Sequence, residues 1–179
     1  MVTVREYNDL NALEDLRETW NDNLQKSKDN DVFSTWEWLS RWWQHFGNSR
    51  QLRVLVAEEM DHIWGIAPLM LSRYSFMNFS TLRKIEFIGS PDSDYNNLIL
   101  LKNEAECTRL FLNHLIQQDD WDCLELRDVR EGSLSAKLLC EVHPSAWKLE
   151  QRVGTVCPYI ELPNSTEDFR KKLGGRLRK

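Results

Sequence analysis

The stretch VFSTWEWLSRWWQHFG places four of the eight tryptophans of this chain within eight residues. On a helical wheel, its apolar side chains cover about half of the circumference, which is wider than the stripe of about 100° that a surface helix buries. One edge of this tryptophan helix is therefore expected to cover a core. The other edge, which carries Trp38 and Trp42, needs a second partner.

Two kinds of partner are open for that edge. Both edges can pack within one domain, with Trp20 of an earlier helix as a contact. Alternatively, Trp38 and Trp42 form an interface with a second domain or face a substrate, because large aromatic side chains are typical of such surfaces. The sequence does not decide between the two, and both residues are candidates for an interface.

Alternation and helical spacing predict the first half of the chain. Strand 2–7 is followed by a helix whose apolar stripe is Leu10, Leu13, Leu16, Trp20 and Leu24. Ser34 and Glu37 predict a capping box that opens the tryptophan helix, and Gly47 predicts its end. Strands are predicted at 52–58 and 62–71, joined by a tight turn. Pro68 is expected at a bulge or on an edge, because it cannot donate to a strand ladder.

The second half alternates strands with helices. The predicted elements are strands 84–89 and 96–101, helix 103–117 with Leu110, Phe111, Leu115 and Ile116 facing inward, strand 121–129, helix 133–142, strands 147–154 and 157–162, and a final helix capped by Ser165 or Thr166. This order predicts an α+β fold of mixed layers, with a central, mostly antiparallel sheet and helices on both faces.

Several classes of protein are not supported by the pattern. No basic segment followed by an apolar run opens the chain, and no apolar stretch is long enough to cross a bilayer. The four cysteines, Cys107, Cys123, Cys140 and Cys157, form no CxxC pair, so neither a zinc site nor a redox motif is indicated. We therefore expect reduced thiols, no metal and a cytoplasmic location.

Charge is distributed unevenly. The last ten residues, RKKLGGRLRK, hold six bases and no acid, whereas acids outnumber bases in the rest of the chain. The acidic body makes nucleic acid an unexpected partner. The basic end is either the solvated face of a helix or a contact for RNA, DNA or lipid.

This order of elements resembles the GNAT acyltransferase fold, which has one strand, two helices, three meandering strands, a helix, a strand, a helix and two strands. The stretches FSTWEWLSRWWQHFG, IEFIGSPDSDYNNLIL and FRKKLGGRLRK resemble the N-terminal half of the CelD-like proteins, GNAT-type acyltransferases associated with polysaccharide biosynthesis. The similarity covers essentially the whole chain and rests on aromatic and turn spacing. Members of that family are longer and resemble Fem-type peptidyltransferases, which carry two GNAT-like halves in tandem.

The C-terminal pattern agrees with a half-molecule. Phe169, Leu173 and Leu177 recur at four-residue steps among bases, and the pattern stops at the last residue without a cap. We expect a GNAT-like domain at 1–163 and, at 164–179, the start of a connection to a second GNAT-like domain. These three apolar residues are then further interface candidates. A frayed basic terminus is the alternative.

The resemblance implies a place for acyl-CoA that this sequence does not match. In GNAT domains the pyrophosphate binds backbone amides in a Q/R-x-x-G-x-G/A loop between a central strand and the next helix. Here the junction NNLILLKNEAECTRL has no glycine, and Glu104 and Glu106 fall in the first helical turn, where an acid opposes a phosphate. We expect no cofactor on this chain and acyl-CoA only on the second half.

The loop GSPDSDYNN is the best candidate for a functional site. Asp92, Ser93, Asp94, Tyr95 and Asn96 are its candidate residues, and Asp94–Tyr95 matches an Asp-Tyr pair of the resembled family after the fourth strand. They are expected either to hydrogen bond an acceptor at a cleft between two halves or to satisfy local amides as a turn. The sequence shows no nucleophile elbow, P-loop or zinc-protease motif, so the catalytic residues are unknown.

Two functions follow from this reading. The first is the non-CoA-binding half of a GNAT-type acyltransferase that helps to form the acceptor cleft. The second is a stand-alone protein-interaction module with a degenerate GNAT fold and no catalysis. The expected partner is a C-terminal GNAT-like domain in the same polypeptide, or a second protomer.

Overall fold

A computed structural model describes residues 1–60, 62–76, 80–158 and 160–172. In these ranges the strands are β1 (Thr3–Tyr7), β2 (Gln51–Glu59), β3 (His62–Phe76), β4 (Ser80–Phe87), β5 (Ile99–Leu100) and β6 (Cys123–Leu124). The α-helices are α1 (Leu10–Glu14), α2 (Arg17–Lys26), α3 (Trp36–Phe46), α4 (Glu104–Ile116), α5 (Leu134–Val142) and α6 (Thr166–Lys172).

One sheet organises the molecule, in the order β1-β2-β3-β4-β6. Its pairs are antiparallel except for β4 with β6, which run parallel. The short β5 pairs with β3, which is long enough to carry both β4 and β5 along one edge. Sequential antiparallel strands need only short connections, whereas the parallel step to β6 is made through α4.

The two faces of the sheet bury separate cores. On one face, Trp20, Trp36 and Trp42 from α2 and α3 pack with Val54 and Met70 of the sheet. On the other face, the core includes Leu55, Leu71, Ile85, Phe111 of α4 and Leu138 of α5. The predicted α+β fold, with a mostly antiparallel sheet and helices on both faces, is confirmed.

The first predicted helix is divided. The chain turns between α1 and α2, where the Leu16 amide bonds to the Leu13 carbonyl oxygen at 3.0 Å. The apolar stripe nevertheless stays on the core, since Leu13, Leu16, Trp20 and Leu24 are all buried. The stripe was predicted correctly, and the single helix was not.

The tryptophan helix is capped one residue later than predicted. Thr35, not Ser34, accepts the hydrogen bond from the Trp38 amide, at 3.3 Å. Ser34 belongs to a preceding 3-10 turn capped by Asp31. Gly47 follows the last residue of α3 as predicted, but with φ −75° it begins a second 3-10 turn. A Cβ there would lie 2.7 Å from the Trp43 ring, so glycine is needed for space.

Pro68 lies on the central strand β3 and not at the bulge, which falls at Ala57/Glu58. Its carbonyl oxygen accepts from the Ile88 amide at 2.9 Å, on the edge where β4 has just ended. The N–H and C=O groups of one residue point to the same side of a strand. The position of the missing N–H of Pro68 therefore faces the gap between β4 and β5. The prediction that Pro68 lies at a bulge or on an edge was wrong. The missing N–H costs the sheet no hydrogen bond to β2, because it faces away from that strand.

The later strands are shorter than predicted or absent. Strand 96–101 is reduced to β5 and strand 121–129 to β6. Strands 147–154 and 157–162 do not form in the described part of that segment, because a strand requires a paired neighbour. Helices α4 and α5 agree with the prediction, although Ile116 is 43% exposed rather than inward. Ser165 caps α6 by accepting from the Asp168 amide at 3.1 Å.

Candidate functional site

The candidate loop, residues 88–98, leaves the sheet between β4 and β5 and returns to the same edge of β3. Leu69 of β3 pairs with Phe87 at the end of β4, and Ile66 pairs with Ile99 at the start of β5. The two short strands therefore act as one interrupted strand. The centre of the sheet anchors both ends of the loop.

A left-handed glycine shapes the first turn of this loop. Gly89 has φ +100°, and its carbonyl oxygen accepts from the amides of Asp92 at 2.7 Å and Ser93 at 2.9 Å. The Ser90–Pro91 peptide bond is cis. A Cβ added at Gly89 would lie 2.3 Å from the Ser93 hydroxyl oxygen, so only glycine allows this close approach.

The tryptophan helix holds the loop through two indole groups. Trp38 Nε1 donates to Ser93 Oγ at 2.8 Å, and Trp42 Nε1 donates to Asp92 Oδ2 at 2.8 Å. Trp42 is buried and Trp38 is half-buried against the same core. The second edge of the helix thus packs within this domain, the first of the two alternatives. Trp38 and Trp42, predicted as interface residues, thus contact Ser93 and Asp92, which were predicted as site residues.

The other end of the loop is tied to two further segments. The Asn96 amide donates to the Asp128 carbonyl oxygen at 2.9 Å, and its side chain reaches the Arg127 carbonyl oxygen at 3.3 Å. Asn97 Nδ2 donates to Asp31 Oδ2 at 3.1 Å. Burial raises the pKa of the Asp31 carboxyl, although the hydrogen bonds that it accepts act in the opposite direction.

Asp94 and Tyr95 remain on the accessible side of the loop. Asp94 is exposed, and Tyr95 is half-buried beside the Phe33 ring, 6.3 Å between centroids. The Arg130 guanidinium lies 4.4 Å from the Tyr95 ring centroid. Burial, and then the neighbouring Cys157, raise the pKa of the Tyr95 hydroxyl. This phenol stays protonated at neutral pH and can donate or accept a hydrogen bond.

The five loop candidates therefore divide by role. Ser93 and Asn96 are buried, and their polar groups are used within the protein. Asp92 and Asp94 are exposed carboxylates, and Tyr95 is a partly accessible phenol. These last three can bind hydrogen-bond donors or a cationic group of a ligand.

The C-terminal interface candidates are only partly placed. Phe169 lies half-buried on α6, a helix without a fully buried side chain. Leu173 and Leu177 lie outside the described residues. No interface follows from this helix alone.

A second polar cluster was missed by the sequence reasoning. Glu86 of β4 is only 4% exposed, and it accepts a hydrogen bond from the Tyr74 hydroxyl at 2.8 Å. Lys84 Nζ lies 3.9 Å from the other Glu86 oxygen, contacts Glu125, and sits 4.6 Å from the Tyr74 ring centroid. Burial, and then Glu86, raise the pKa of Tyr74. A buried carboxylate that pairs with a cation and accepts from a phenol can also accept a hydrogen bond from a bound amine.

This cluster continues to the candidate loop. Ser72 pairs with Lys84 in the strand register, and Arg50 directly precedes Gln51, whose partner is Leu71. Arg50 Nε and Ser72 Oγ are buried atoms for which the described residues supply no hydrogen-bond partner. The Arg50 guanidinium lies 5.3 Å from the ring centroid of Trp42, whose indole nitrogen binds Asp92. One polar belt thus joins the sheet face to the loop.

The start of α4 is the place that the resemblance gives to the acyl-CoA pyrophosphate. The backbone N–H of Glu104 is the main cause of the lowered pKa of its carboxyl, and Lys28 pairs with that carboxylate at 2.9 Å. Asn103, before it, is left-handed and provides no side-chain cap. Glu106 pairs with Arg109 at 3.2 Å. The Glu104 carboxylate therefore occupies the helix start, where the dipole favours one anion.

An open cleft of about 580 Å³ lies against this helix start, lined by Val2, Trp64, Asn103, Glu104, Ala105, Glu106 and Arg109. Lys102 Nζ sits 4.9 Å from the Trp64 ring centroid at its side. Glu106 and Arg109 of the lining pair with each other, and Glu104 pairs with Lys28 outside it. A pyrophosphate placed here would meet two carboxylates in the first turn, so these residues do not fit it.

The described residues form no site for metal or thiol chemistry. No group of three or more His, Cys, Asp or Glu side chains is placed to hold a metal ion there. The cysteines are free; Cys107 is buried and the other three are half-buried. None of the helices described has the length and apolar content of a membrane span.

Comparison with known proteins yields matches of structure only. No family model and no curated protein matches this chain. A ribosomal-protein-alanine N-acetyltransferase from Brucella melitensis biovar Abortus 2308 overlaps 86% of this chain and 99% of its own, with TM-score 0.47 and 12% identity. An integron cassette protein from the mobile metagenome of V. cholerae overlaps 96% and 98%, with TM-score 0.47 and 14% identity.

A third similar structure is glucosamine-6-phosphate N-acetyltransferase from Arabidopsis thaliana, which overlaps 87% of this chain and 98% of its own, with TM-score 0.42 and 12% identity. Two of these three proteins are named as N-acetyltransferases. Their names describe those proteins, and overlaps this loose assign no activity to the present chain.

Proposed function

We propose that this chain is the half of a GNAT-type N-acyltransferase that contributes the acceptor cleft and does not itself bind acyl-CoA. The proposed reaction is acyl transfer to an amine or hydroxyl group of a polysaccharide or cell-envelope precursor. A second GNAT-like domain, in the same polypeptide or in a second protomer, would bind the acyl-CoA.

The observation that carries this proposal is the Glu104 carboxylate at the start of α4. It pairs with Lys28 at 2.9 Å, and its own backbone N–H is the main cause of its lowered pKa, so an internal anion lies where a phosphate would bind. The order of the described elements up to α5, with its antiparallel meander and the parallel step to β6, supports the GNAT-like frame.

The acceptor side of the proposal rests on the loop and the polar belt. Asp94 and Tyr95 are accessible, and both belong to a loop held in place by α3 and by the segment around Asp128. Glu86 and Tyr74 lie on the sheet face next to that loop. Carboxylates and phenols are the groups that bind an amine or hydroxyl acceptor and direct its proton.

Calorimetric titration with acetyl-CoA and a longer acyl-CoA tests the proposal. A thermal melt of the same sample must show a folded chain, and an active GNAT enzyme serves as the positive control. No heat of binding is expected. Micromolar binding would overturn the proposal and make the chain an acyltransferase with an unfamiliar phosphate site.

Two variants test whether the charge of Glu104 is what prevents acyl-CoA binding. Glu104→Ala removes the carboxylate that occupies the helix start, whereas Glu106→Ala removes the neighbouring acid that pairs with Arg109. If the Glu104 charge excludes the phosphate, weak acyl-CoA binding appears in the first variant and is weaker or absent in the second. Equal gains in both variants would indicate a general charge effect.

A second function is favoured by one specific observation. Leu149, Val153, Val156, Ile160 and Leu162 are exposed by 48 to 98% in one C-terminal segment. Exposed apolar side chains in such number are typical of a surface that binds another protein. A stand-alone interaction module would explain them without catalysis. Sequencing the DNA downstream of the Lys179 codon distinguishes the interaction module from a half-enzyme whose second GNAT-like domain lies in the same polypeptide, since only the latter requires a further domain there.

A further inference from the structure

Two opposite charges contact one buried tryptophan from different sides. The Arg50 guanidinium carbon lies 5.3 Å from the Trp42 ring centroid, and the indole nitrogen of Trp42 donates to Asp92 Oδ2 at 2.8 Å. Trp42 packs in the core, so its ring is a rigid reference for both groups. Among the described residues, Arg50 and Asp92 have no ion-pair partner within 4.0 Å, neither in each other nor in a third residue. The protein thus presents a cation and an anion that it does not neutralise itself.

Beneath Arg50, two buried polar atoms are also unpartnered. Arg50 has an extended backbone (φ −122°, ψ 164°) directly before β2, so alternation places its side chain on the face of Leu52, in the core of Trp42. Ser72 lies on the same face, two residues after Met70 of that core. For Ser72 Oγ and Arg50 Nε the described residues supply no hydrogen-bond partner, and Ser72 is only 3% exposed. Buried polar groups are normally paired, so these two atoms favour a ligand that brings a hydrogen-bond acceptor.

Solvent reaches the surface around these charges. The Asp92 side chain is exposed, and its carboxylate has lone pairs beyond the one that Trp42 uses. On the other side, Arg50 Nη1 donates to the carbonyl oxygen of Phe46, whose side chain is 52% exposed. Tyr74, 37% exposed, is close as well: burial is the main cause that raises its pKa, and the Arg50 charge acts in the opposite direction. A small ligand can therefore approach both charged groups without unfolding the helix.

We propose that a small zwitterion binds around Trp42, with its acidic group on Arg50 and its amine on Asp92. A ligand with one charge is attracted by one of these residues and repelled by the other, whereas a ligand with both charges is attracted by both. A guanidinium binds a carboxylate or a phosphate through two parallel N–H donors, and a carboxylate accepts from an ammonium group. The chemical class of the ligand is therefore an amine that also carries a carboxylate or a phosphate.

This inference rests on the proposed function where it takes the zwitterion as the acyl acceptor. It narrows that acceptor from any amine or hydroxyl group to the amine of a molecule that also bears an acid. The binding itself requires neither acyl-CoA nor a second domain, so it can be measured on this chain alone.

Titrations followed by nitrogen-15 NMR of the assigned indole N–H signals test the binding. The probes are β-alanine and O-phosphoethanolamine, which carry an amine with a carboxylate and with a phosphate. Acetate, inorganic phosphate and ethylamine are the probes with charge of one sign. At least one zwitterion should shift the Trp42 signal to saturation and bind about tenfold more tightly than the other three probes. The tighter of the two zwitterions identifies the acidic group.

Two variants test the two charges separately. Arg50→Gln and Asp92→Asn should each weaken zwitterion binding about tenfold, and Asp92→Asn keeps an acceptor for the Trp42 indole. The matched control is Arg41→Gln, which removes an exposed guanidinium of the same helix that bonds Gln44 at 2.9 Å and should leave binding unchanged. Thermal melts establish that each variant is folded.

Three results overturn the inference: no saturable shift with either zwitterion, equal binding of a probe with charge of one sign, or equal binding by Arg50→Gln, Asp92→Asn and wild type. The calorimetric titration with acyl-CoA keeps the two proposals apart. Acyl-CoA binding overturns the proposed function and leaves a measured zwitterion site in place. A chain that binds neither zwitterion nor acyl-CoA overturns this inference alone.

Discussion

The indole nitrogen of Trp42 donates to the carboxylate of Asp92 at 2.8 Å, across fifty residues of sequence. Four residues earlier on the same helix, Trp38 makes the matching contact with Ser93. The aromatic edge that is too wide for a surface helix thus serves to hold a polar loop. Its excess of tryptophan is explained by N–H donors as well as by apolar area.

The contact of Trp38 with Ser93 should contribute measurably to stability. Ser93 is 2% exposed, so Trp38→Phe leaves its hydroxyl oxygen without the indole donor, and we expect a loss of about 1–2 kcal/mol in the free energy of unfolding. Urea denaturation measures it. Trp43→Phe is the control, because in the described structure the Trp43 indole nitrogen makes no hydrogen bond; equal losses in the two variants would contradict the prediction.

Two left-handed glycines form a second test. Gly89 has φ +100° and no room for a Cβ, whereas Gly132 has φ +76° and nothing within 4 Å of an added Cβ. Gly132→Ala should cost about 1 kcal/mol from backbone strain alone. Gly89→Ala should cost clearly more, because the Ser93 hydroxyl must also move. Thermal unfolding of both variants decides this, and a smaller effect at Gly89 would mean that the turn is free to rearrange.

Acid should weaken the ion pair between Arg53 and Asp120. Arg53 is 3% exposed, and its hydrogen bond to Asp120 holds the pKa of that carboxyl below its ordinary value. The stabilisation is therefore present above the unfolded-state pKa of about 4 and is lost as the pH falls through the folded-state pKa. Asp120→Asn should be less stable at pH 7 and should lose less stability between neutral and acid pH.

A series of urea melts at several pH values measures that difference. Asp22→Asn, at an exposed acid on α2, should keep the wild-type dependence on pH. The prediction fails if Asp120→Asn and wild type lose stability in parallel as the pH falls.

The four thiols should differ in reactivity. Burial raises the pKa of Cys107 to about 12, so its reactive thiolate is scarce at neutral pH. Alkylation of the native protein, read by mass spectrometry, should modify the half-buried Cys123, Cys140 and Cys157 first and Cys107 only on unfolding. Rapid native labelling of Cys107 would show that the core beneath α4 opens readily.

Local sequence patterns predicted the helices and strands whose own residues show the periodicity of burial. The stripe from Leu13 to Leu24 and the meander of β2 and β3 could be predicted because period and alternation report burial directly. Strands 147–154 and 157–162 could not, since a strand depends on a neighbour that no local pattern names. Pro68 shows the same limit: its place depends on where β4 ends.

The site was predictable in part. The polar run from Asp92 to Asn96 marked the loop, but only the structure shows that Ser93 and Asn96 are used internally. Glu86 and Lys84 alternate with apolar residues as on any strand with one solvated face. Nothing in that pattern indicates that Glu86 is buried, because the cover comes from distant segments of the chain.

The interruption between β4 and β5 has a consequence for evolution and engineering. Ile66 and Leu69, three residues apart on β3, hold the two ends of the excursion about 10 Å from each other. Closing a longer or shorter loop between fixed ends changes the free energy only slowly with length. The accessible positions Asp94 and Tyr95 can therefore change in type and number while the strand register stays constant, whereas Ile88, Ser93 and Leu98 are buried and have to be kept.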